Sequence, residues 1–444
     1  MNRWALIIGL VSMGTSAFAA DFPQFRGPSG DGIVPNSDLP QDWEKGKNIA
    51  WKRGIPGSGW SQPVVINDTI FVTTAVGDKL ARPKDMSSGA RDMASIPGMG
   101  KSKGPNITLK WQLLALDLKD GSVKWTRTVE EAKPKFPIHP SNTYATETPC
   151  VDAERVSAYF GATGSVVAFD HAGKPIWNAN IGAYPHSNGF GSGSSMAIDN
   201  GILFLNCFNE EKGFVLALDA QTGRQIWRKD RARGGSSWAS PFIWKNSKRV
   251  EVVACGDKLV TSHDPRTGEE LWRLGGIDTA FAPSPAADGD TLILAASSPF
   301  SSSPMYAIRA GAKGDITLEK KQKSNANILW SMTNAKVGMA SPVAKDGFVY
   351  FASNGLLTCY SIANGERVYS ERLSNFKTVA ASPLLMGDRI LVLDEAGRSA
   401  WVKTGKTFET VGGGSIADIT WATPAIAGNS ILVRGLDGLY CVRK

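Results

Sequence analysis

Cysteine is scarce in this 444-residue chain and histidine is scarcer, with five and four residues. No two cysteines are neighbours, and neither CxxC nor CxxCH occurs. These absences exclude a dense disulfide framework and a c-type haem attachment site. The histidines, at 139, 171, 186 and 263, are scattered and show no zinc-ligand spacing. Five is an odd number, so at least one thiol lacks an intramolecular partner. The cysteines stand in strand-like settings and read as small buried hydrophobes. Beyond residue 20 there is no run of about 18 apolar residues, so no membrane helix is expected. No loop has EF-hand spacing. Lys and Arg number 49 against 41 Asp and Glu, a net charge of +8. That excess is modest for the length and does not indicate nucleic-acid binding.

Glycine (47) and tryptophan (14) are abundant, as an all-β fold with many tight turns requires. The first twenty residues, MNRWALIIGLVSMGTSAFAA, read as a signal peptide: Arg3, an apolar run from Trp4 to Met13, then a small-residue cleavage site. No cysteine stands at that site, so no lipid anchor is expected. The mature protein is expected to be periplasmic or secreted.

The chain repeats itself. LLALDLKDGSVKW (113–125) returns as VVAFDHAGKPIW (166–177), VLALDAQTGRQIW (215–227) and LVTSHDPRTGEELW (259–272), with a weaker copy at 356–369. Each has an alternating apolar run, a glycine-bearing turn and a run ending on an aromatic, the pattern of a β-hairpin. A second phrase precedes each hairpin, as in SQPVVINDTIFV (61–72) and SPVAKDGFVYFA (341–352). Together they make four antiparallel strands, repeated at the spacing of propeller blades. The last copy ends one strand short, and NIAWKRG (48–54) reads as the missing strand. The expected fold is an all-β, eight-bladed β-propeller of four-stranded antiparallel sheets, closed by that N-terminal strand on the last blade. The expected division is a signal peptide (1–20), an extended segment (21–47) and a propeller (48–444). The first blade carries an insertion at 77–110, read as a solvated loop, a partner-binding arm or a lid.

Columns in the repeat assign roles. Ala115, Ala168, Ala217, Ser262, Ala307, Cys359 and Cys441 share one position where sheets pack closely. Trp125, Trp177, Trp227, Trp272 and Trp330 are expected to fill the gaps between blades. The Asp before each turn reads as a turn hydrogen-bonder. GSGSS (191–195) lacks the GxSxG spacing and reads as the start of an inner strand.

The ALDxxTGxxxW phrase, clearest at 217–227, resembles the tryptophan-docking repeat of pyrroloquinoline quinone (PQQ)-type β-propellers. DFPQFRGPSGDG (21–32), SNTYATETP (141–149) and GFGSGSS (189–195) resemble an exported subgroup, the PQQ-binding-like repeat proteins. The resemblance implies the propeller for residues 48–444. It includes quinoprotein alcohol dehydrogenases and a non-enzymatic lipoprotein of outer-membrane barrel assembly, so it does not by itself choose a function. A dehydrogenase would need PQQ with a divalent cation, and in that family usually a disulfide of adjacent cysteines, which this sequence lacks.

One copy of the repeat departs from the rest. Two residues before the recurring proline, Glu147 stands where Ala239, Ala340, Ala381 and Ala422 stand elsewhere. Three before it are Trp60, Trp238 and Trp421. These positions begin the innermost strands. Glu147, Asn142, Tyr144, Trp60, Trp238 and Trp421 are therefore expected to wall a ligand site at one channel mouth. The bland alternative for Glu147 is a buried salt bridge or a turn hydrogen bond. The leading reading is a non-catalytic exported propeller binding an envelope or extracellular partner protein, or a small ligand, with no cofactor. The alternatives are a PQQ-dependent oxidoreductase and an outer-membrane assembly scaffold.

Overall fold

A computed structural model describes residues 21–86, 88, 104–231, 234–297 and 303–444. The expected signal peptide and residues 89–103 of the insertion lie outside the described residues.

The described strands form eight sheets. The expectation of an eight-bladed propeller of four-stranded antiparallel sheets, closed by an N-terminal strand on the last blade, is corrected to seven blades built from continuous runs of chain. Seven sheets take four antiparallel strands each from one continuous run of chain, beginning at residues 64, 150, 197, 242, 286, 343 and 384. The eighth is composite: Ala425–Ala427, Ser430–Arg434 and Leu439–Val442 carry Ile49–Arg53 on the outside, with Trp51 opposite Cys441. Two sheets are larger than four strands, and their added strands are parallel. Gly314–Asp315 extends the fourth sheet. The seventh sheet gains Ile33–Val34 on its inner edge and Asp42–Trp43 on its outer edge. The added strands are two residues long and break the apolar alternation too briefly to be read in sequence.

The tryptophan phrase has a direct physical basis. Trp125 Nε1 donates to the His171 carbonyl of the next sheet at 2.9 Å, Trp177 to Ala220 at 2.9 Å and Trp227 to Pro265 at 2.9 Å. Each ring lies on the turn glycine of that neighbour. A Cβ on Gly173, Gly223 or Gly268 would come within 2.5–2.8 Å of the ring, and each has φ near +70° to +82°. Only glycine meets both conditions without strain. Across the strand pair, each docking aromatic faces the small residue of the column: Ala115 opposite Trp125, Ala168 opposite Trp177, Cys359 opposite Tyr369. All five cysteines are buried and free.

The fourth sheet breaks the rule. Trp272 donates instead to Glu251 of its own sheet, at 2.7 Å. Glu251 is fully buried and also accepts from Ser262 Oγ (2.6 Å), Asn246 (3.1 Å) and Arg249 (3.1 Å).

Around the inner edge runs a relay of hydrogen bonds. The amide of each strand start donates to the hydroxyl of the next: Gln62 to Thr148, Thr148 to Ser195, then Ser240, Ser284, Ser341, Ser382 and Thr423, all at 2.9–3.0 Å. The Ser or Thr before the recurring proline is thus an inter-sheet clamp. Gln62 stands where the others carry a hydroxyl, and its side-chain amide donates to the Pro424 carbonyl of the eighth sheet. Arg434 of that sheet also reaches Ser61 Oγ at 2.6 Å. The sheets therefore follow one another in a cycle.

Below this relay the segment 22–34 crosses from sheet to sheet. Phe22 pairs with Val65, Pro23 accepts from Val151, and the Gln24 side chain accepts from Ile198. Arg26 is fully buried. Its guanidinium donates to the carbonyls of Pro285 (2.7 Å), Asp31 (2.7 Å) and Pro342, and its amide donates to Gln62 Oε1 (2.7 Å). Gly32 then accepts from Leu385. This short stretch touches six sheets, and it seats a cation among carbonyl oxygens at one end of the axis.

Candidate functional site

The opposite end carries the residues singled out in the sequence. The two columns before the proline separate, except that Trp60, in the second, is buried at 4% exposure. Ser61, Glu147, Ala239, Ala340, Ala381 and Ala422 are buried, whereas Thr146, Trp238, Met339, Ala380 and Trp421 are half-buried. Neighbouring strand residues face opposite ways, so one column enters the sheet packing and the other lines the mouth.

Trp60 and Trp421 stack there, with centroids 6.4 Å apart and planes at 18°. Trp60 Nε1 donates to the Ser141 carbonyl at 2.9 Å. Trp238 Nε1 donates to Gly191 at 2.8 Å. The Trp421 indole N–H is buried with no acceptor among the described residues. Asn142 ties the loops together. Its amide donates to Phe190 (2.7 Å) and Ser192 (3.3 Å), and its oxygen accepts from Thr143 N and Thr146 Oγ1, both at 2.7 Å. Tyr144 turns away from the mouth into the packing of the first two sheets. It lies edge-on to Trp111, and its hydroxyl donates to Phe136 at 3.1 Å.

Glu147 is buried, at 1% exposure. Its Oε1 accepts from Gly161 N at 3.1 Å and from Ser192 Oγ. Burial raises its pKa, against the hydrogen bonds that favour the charged form. Ser192 adjoins Gly191, whose carbonyl holds Trp238. Glu147 thus reaches the mouth through the loop it supports.

A raised carboxyl pKa has a definite sign. The folded state binds the proton more tightly than the unfolded state, so this group's contribution to stability falls as pH rises above its ordinary value of 4.5. Glu147→Gln removes that titration. Denaturant melts of both proteins from pH 4.5 to 8 should show the stability difference moving in the variant's favour as pH rises. A constant difference would show that burial does not set the protonation of Glu147.

Sequence reasoning missed the other half of the mouth. The insertion leaves the first sheet after Val76 and returns opposite it at Lys110. Its described part reaches across to distant sheets. Arg82 pairs with Asp437 of the eighth sheet. Lys84 N donates to Pro140 at 3.0 Å, and Ser141 Oγ donates to the Asp85 carbonyl at 3.0 Å. Met86 N donates to Glu395 Oε2 of the seventh sheet at 3.1 Å. Beside this arm lies an open recess of about 370 Å³, lined by Asp85, Asn354, Lys377, Thr378 and Glu395. Burial raises the Glu395 pKa, and Asp85 and Asp394 add to the rise. Thr420, the neighbour of Trp421, donates its amide to the Glu395 carbonyl at 3.1 Å, which joins recess and tryptophans. The sequence held one signal of this, the length and basic character of the insertion. Its landing points carry no local pattern.

Residues 162–325 match the family model described as outer membrane protein assembly factor BamB. No curated protein matches the chain. Among solved structures, BamB from Moraxella catarrhalis is similar with a TM-score of 0.53 at 13% identity, over 78% of this chain and 94% of that one. The quinohemoprotein alcohol dehydrogenase of Comamonas testosteroni gives 0.60 at 12% identity, over 95% and 80%. The quinohemoprotein alcohol dehydrogenase ADHIIG of Pseudomonas putida HK5 gives 0.59 at 12%, over 95% and 76%. At these identities the likeness concerns the fold. The docking tryptophans, the turn glycines that receive them and the family-model match over residues 162–325 support a β-propeller of the PQQ-repeat type.

Proposed function

We propose that this chain is an exported, non-catalytic propeller that binds a partner protein at the arm-bearing mouth. The arm carries the reading: residues 82–86 span three separate parts of the propeller and frame a recess beside the tryptophans. Trp238 and Trp421, half-buried at the same mouth, suit recognition, because they offer large apolar area with little entropy to lose. Export rests on the pattern of residues 1–20. The family-model match at 162–325 favours a partner in outer-membrane assembly as the more specific form of this reading.

A quinone-dependent oxidation would need a divalent cation beside the quinone. The described residues do not fit one. They contain no group of three or more His, Cys, Asp or Glu placed to hold a metal. The carboxyl nearest the tryptophan loops, Glu147, is enclosed and receives hydrogen bonds from Ser192 and Gly161. No catalytic step is derived through PQQ.

The test is capture from an envelope extract with wild type and with the double variant Trp238→Ala, Trp421→Ala. The wild type should retain a partner that the variant loses while circular dichroism shows the variant still folded. Equal capture by both proteins would move the binding face away from this mouth.

A further inference from the structure

We infer that the mouth recognises an irregular, arginine-bearing linear segment of a partner, and that the chain's own arm occupies this site in cis. The inference rests on the reading of the mouth as the binding face and names the chemistry of what binds there.

The arm itself is the first occupant of this surface. Residues 80–85 have neither helix nor strand, yet the segment is held along its length. Arg82 places its guanidinium on Asp437, which hangs from the eighth sheet. Pro83 is buried. Main-chain groups of Lys84, Asp85 and Met86 are then read by Pro140, Ser141 and Glu395. One charge, one buried proline and a row of main-chain hydrogen bonds is how a folded surface reads a linear peptide. The backbone contacts are indifferent to sequence, and selectivity comes from the buried Pro83 together with the exposed Arg82–Asp437 ion pair, a contact that salt weakens.

The receiving surface complements such a segment. Asp437 and Glu395 stand at its two ends, on a chain whose net charge is +8. Asp418 accepts from the Asp437 amide at 2.8 Å and so fixes the loop that presents the acidic group. The arm leaves and re-enters the first sheet at paired residues, Val76 opposite Lys110, so it can lift without unravelling that hairpin. A tethered segment competes at high effective concentration and masks the site from weak ligands. A partner carrying a better segment displaces it.

The experiment uses the full chain and a shortened chain in which residues 78–103 are replaced by a short Gly-Ser turn. The probe is a fluorescent synthetic peptide of residues 78–88, followed by anisotropy. The shortened protein should bind it saturably, and the full chain at least tenfold more weakly. Peptide with Arg82→Ala should lose most of its affinity, as should protein carrying Asp437→Asn. A shortened protein of unchanged melting temperature that ignores the peptide would overturn the inference. So would equal binding by the full and shortened chains, or by the two peptides. If the shortened chain does not fold, the full chain with Arg82→Glu serves: it should bind the wild-type peptide more tightly than the unmodified protein, and failure to do so counts against the inference. Partner capture that depends on Trp238 and Trp421 without any peptide binding would sink this inference alone. Peptide binding with capture indifferent to those tryptophans would sink the wider reading alone.

Discussion

Changing Arg26 to alanine should lower the unfolding free energy by about 4 kcal/mol, since charged hydrogen bonds contribute roughly 1.5–3 kcal/mol each and their orphaned acceptors stay buried. The guanidinium is enclosed and bonded to the carbonyls of Pro285, Asp31 and Pro342. Removing it leaves those oxygens without a donor and opens a void between sheets. It also frees the segment that joins six sheets. Arg26→Lys should recover only part of the loss, because an ammonium cannot reproduce the fork that reaches three carbonyls. Denaturant melts of the three proteins measure this directly. Hydrogen exchange over residues 22–34 supplies a second readout, with protection lost in Arg26→Ala. A loss under about 1 kcal/mol with protection unchanged would mean that the segment is held by its backbone pairing alone, each such bond contributing only about 1 kcal/mol.

The second large effect is expected at Glu251. This carboxylate is the shared acceptor for Trp272, Ser262, Asn246 and Arg249 inside the fourth sheet. Glu251→Ala strands the buried Trp272 indole N–H and removes the carboxylate partner of Arg249, which keeps the Ala312 carbonyl, at a cost of about 3 kcal/mol. Glu251→Gln keeps one oxygen as an acceptor and should cost less than half as much. The emission of Trp272 should shift to the red in Glu251→Ala as water reaches the indole. Equal stability of the alanine and glutamine variants would show that packing, and not the hydrogen bonds, holds Trp272 in place.

These two sites mark the limit of what the sequence discloses. The repeat was legible because docking imposes local rules: a glycine where a ring must lie, a small residue opposite it, a hydroxyl before the proline. Each rule recurs at a fixed offset, as with Gly173, Gly223 and Gly268. Trp272 obeys the offset, yet its partner is Glu251, and nothing before the structure distinguished that carboxylate from a surface one. Glu147 was visible as an exception, but alternation alone did not say which column faced inward. Asn142 and the three tryptophans meet around the mouth, whereas Tyr144 turns into the core. The landing points of the arm and of the axial segment were invisible for a different reason. Their partners, Asp437 and Glu395 for one and Pro285 and Pro342 for the other, lie hundreds of residues downstream and share no motif. Such contacts arise from the shape of the finished ring and leave no periodic trace in the chain.

The position of residues 22–34 has a consequence for assembly. They leave the ribosome ahead of all the sheets they touch, yet the carbonyl oxygens that receive Arg26 belong to residues 285 and 342, and the strand alongside Ile33 begins at 384. This early stretch therefore waits for much later ones, and loop closure over such separations is slow. A fusion or tag placed just ahead of Phe22 would burden that step.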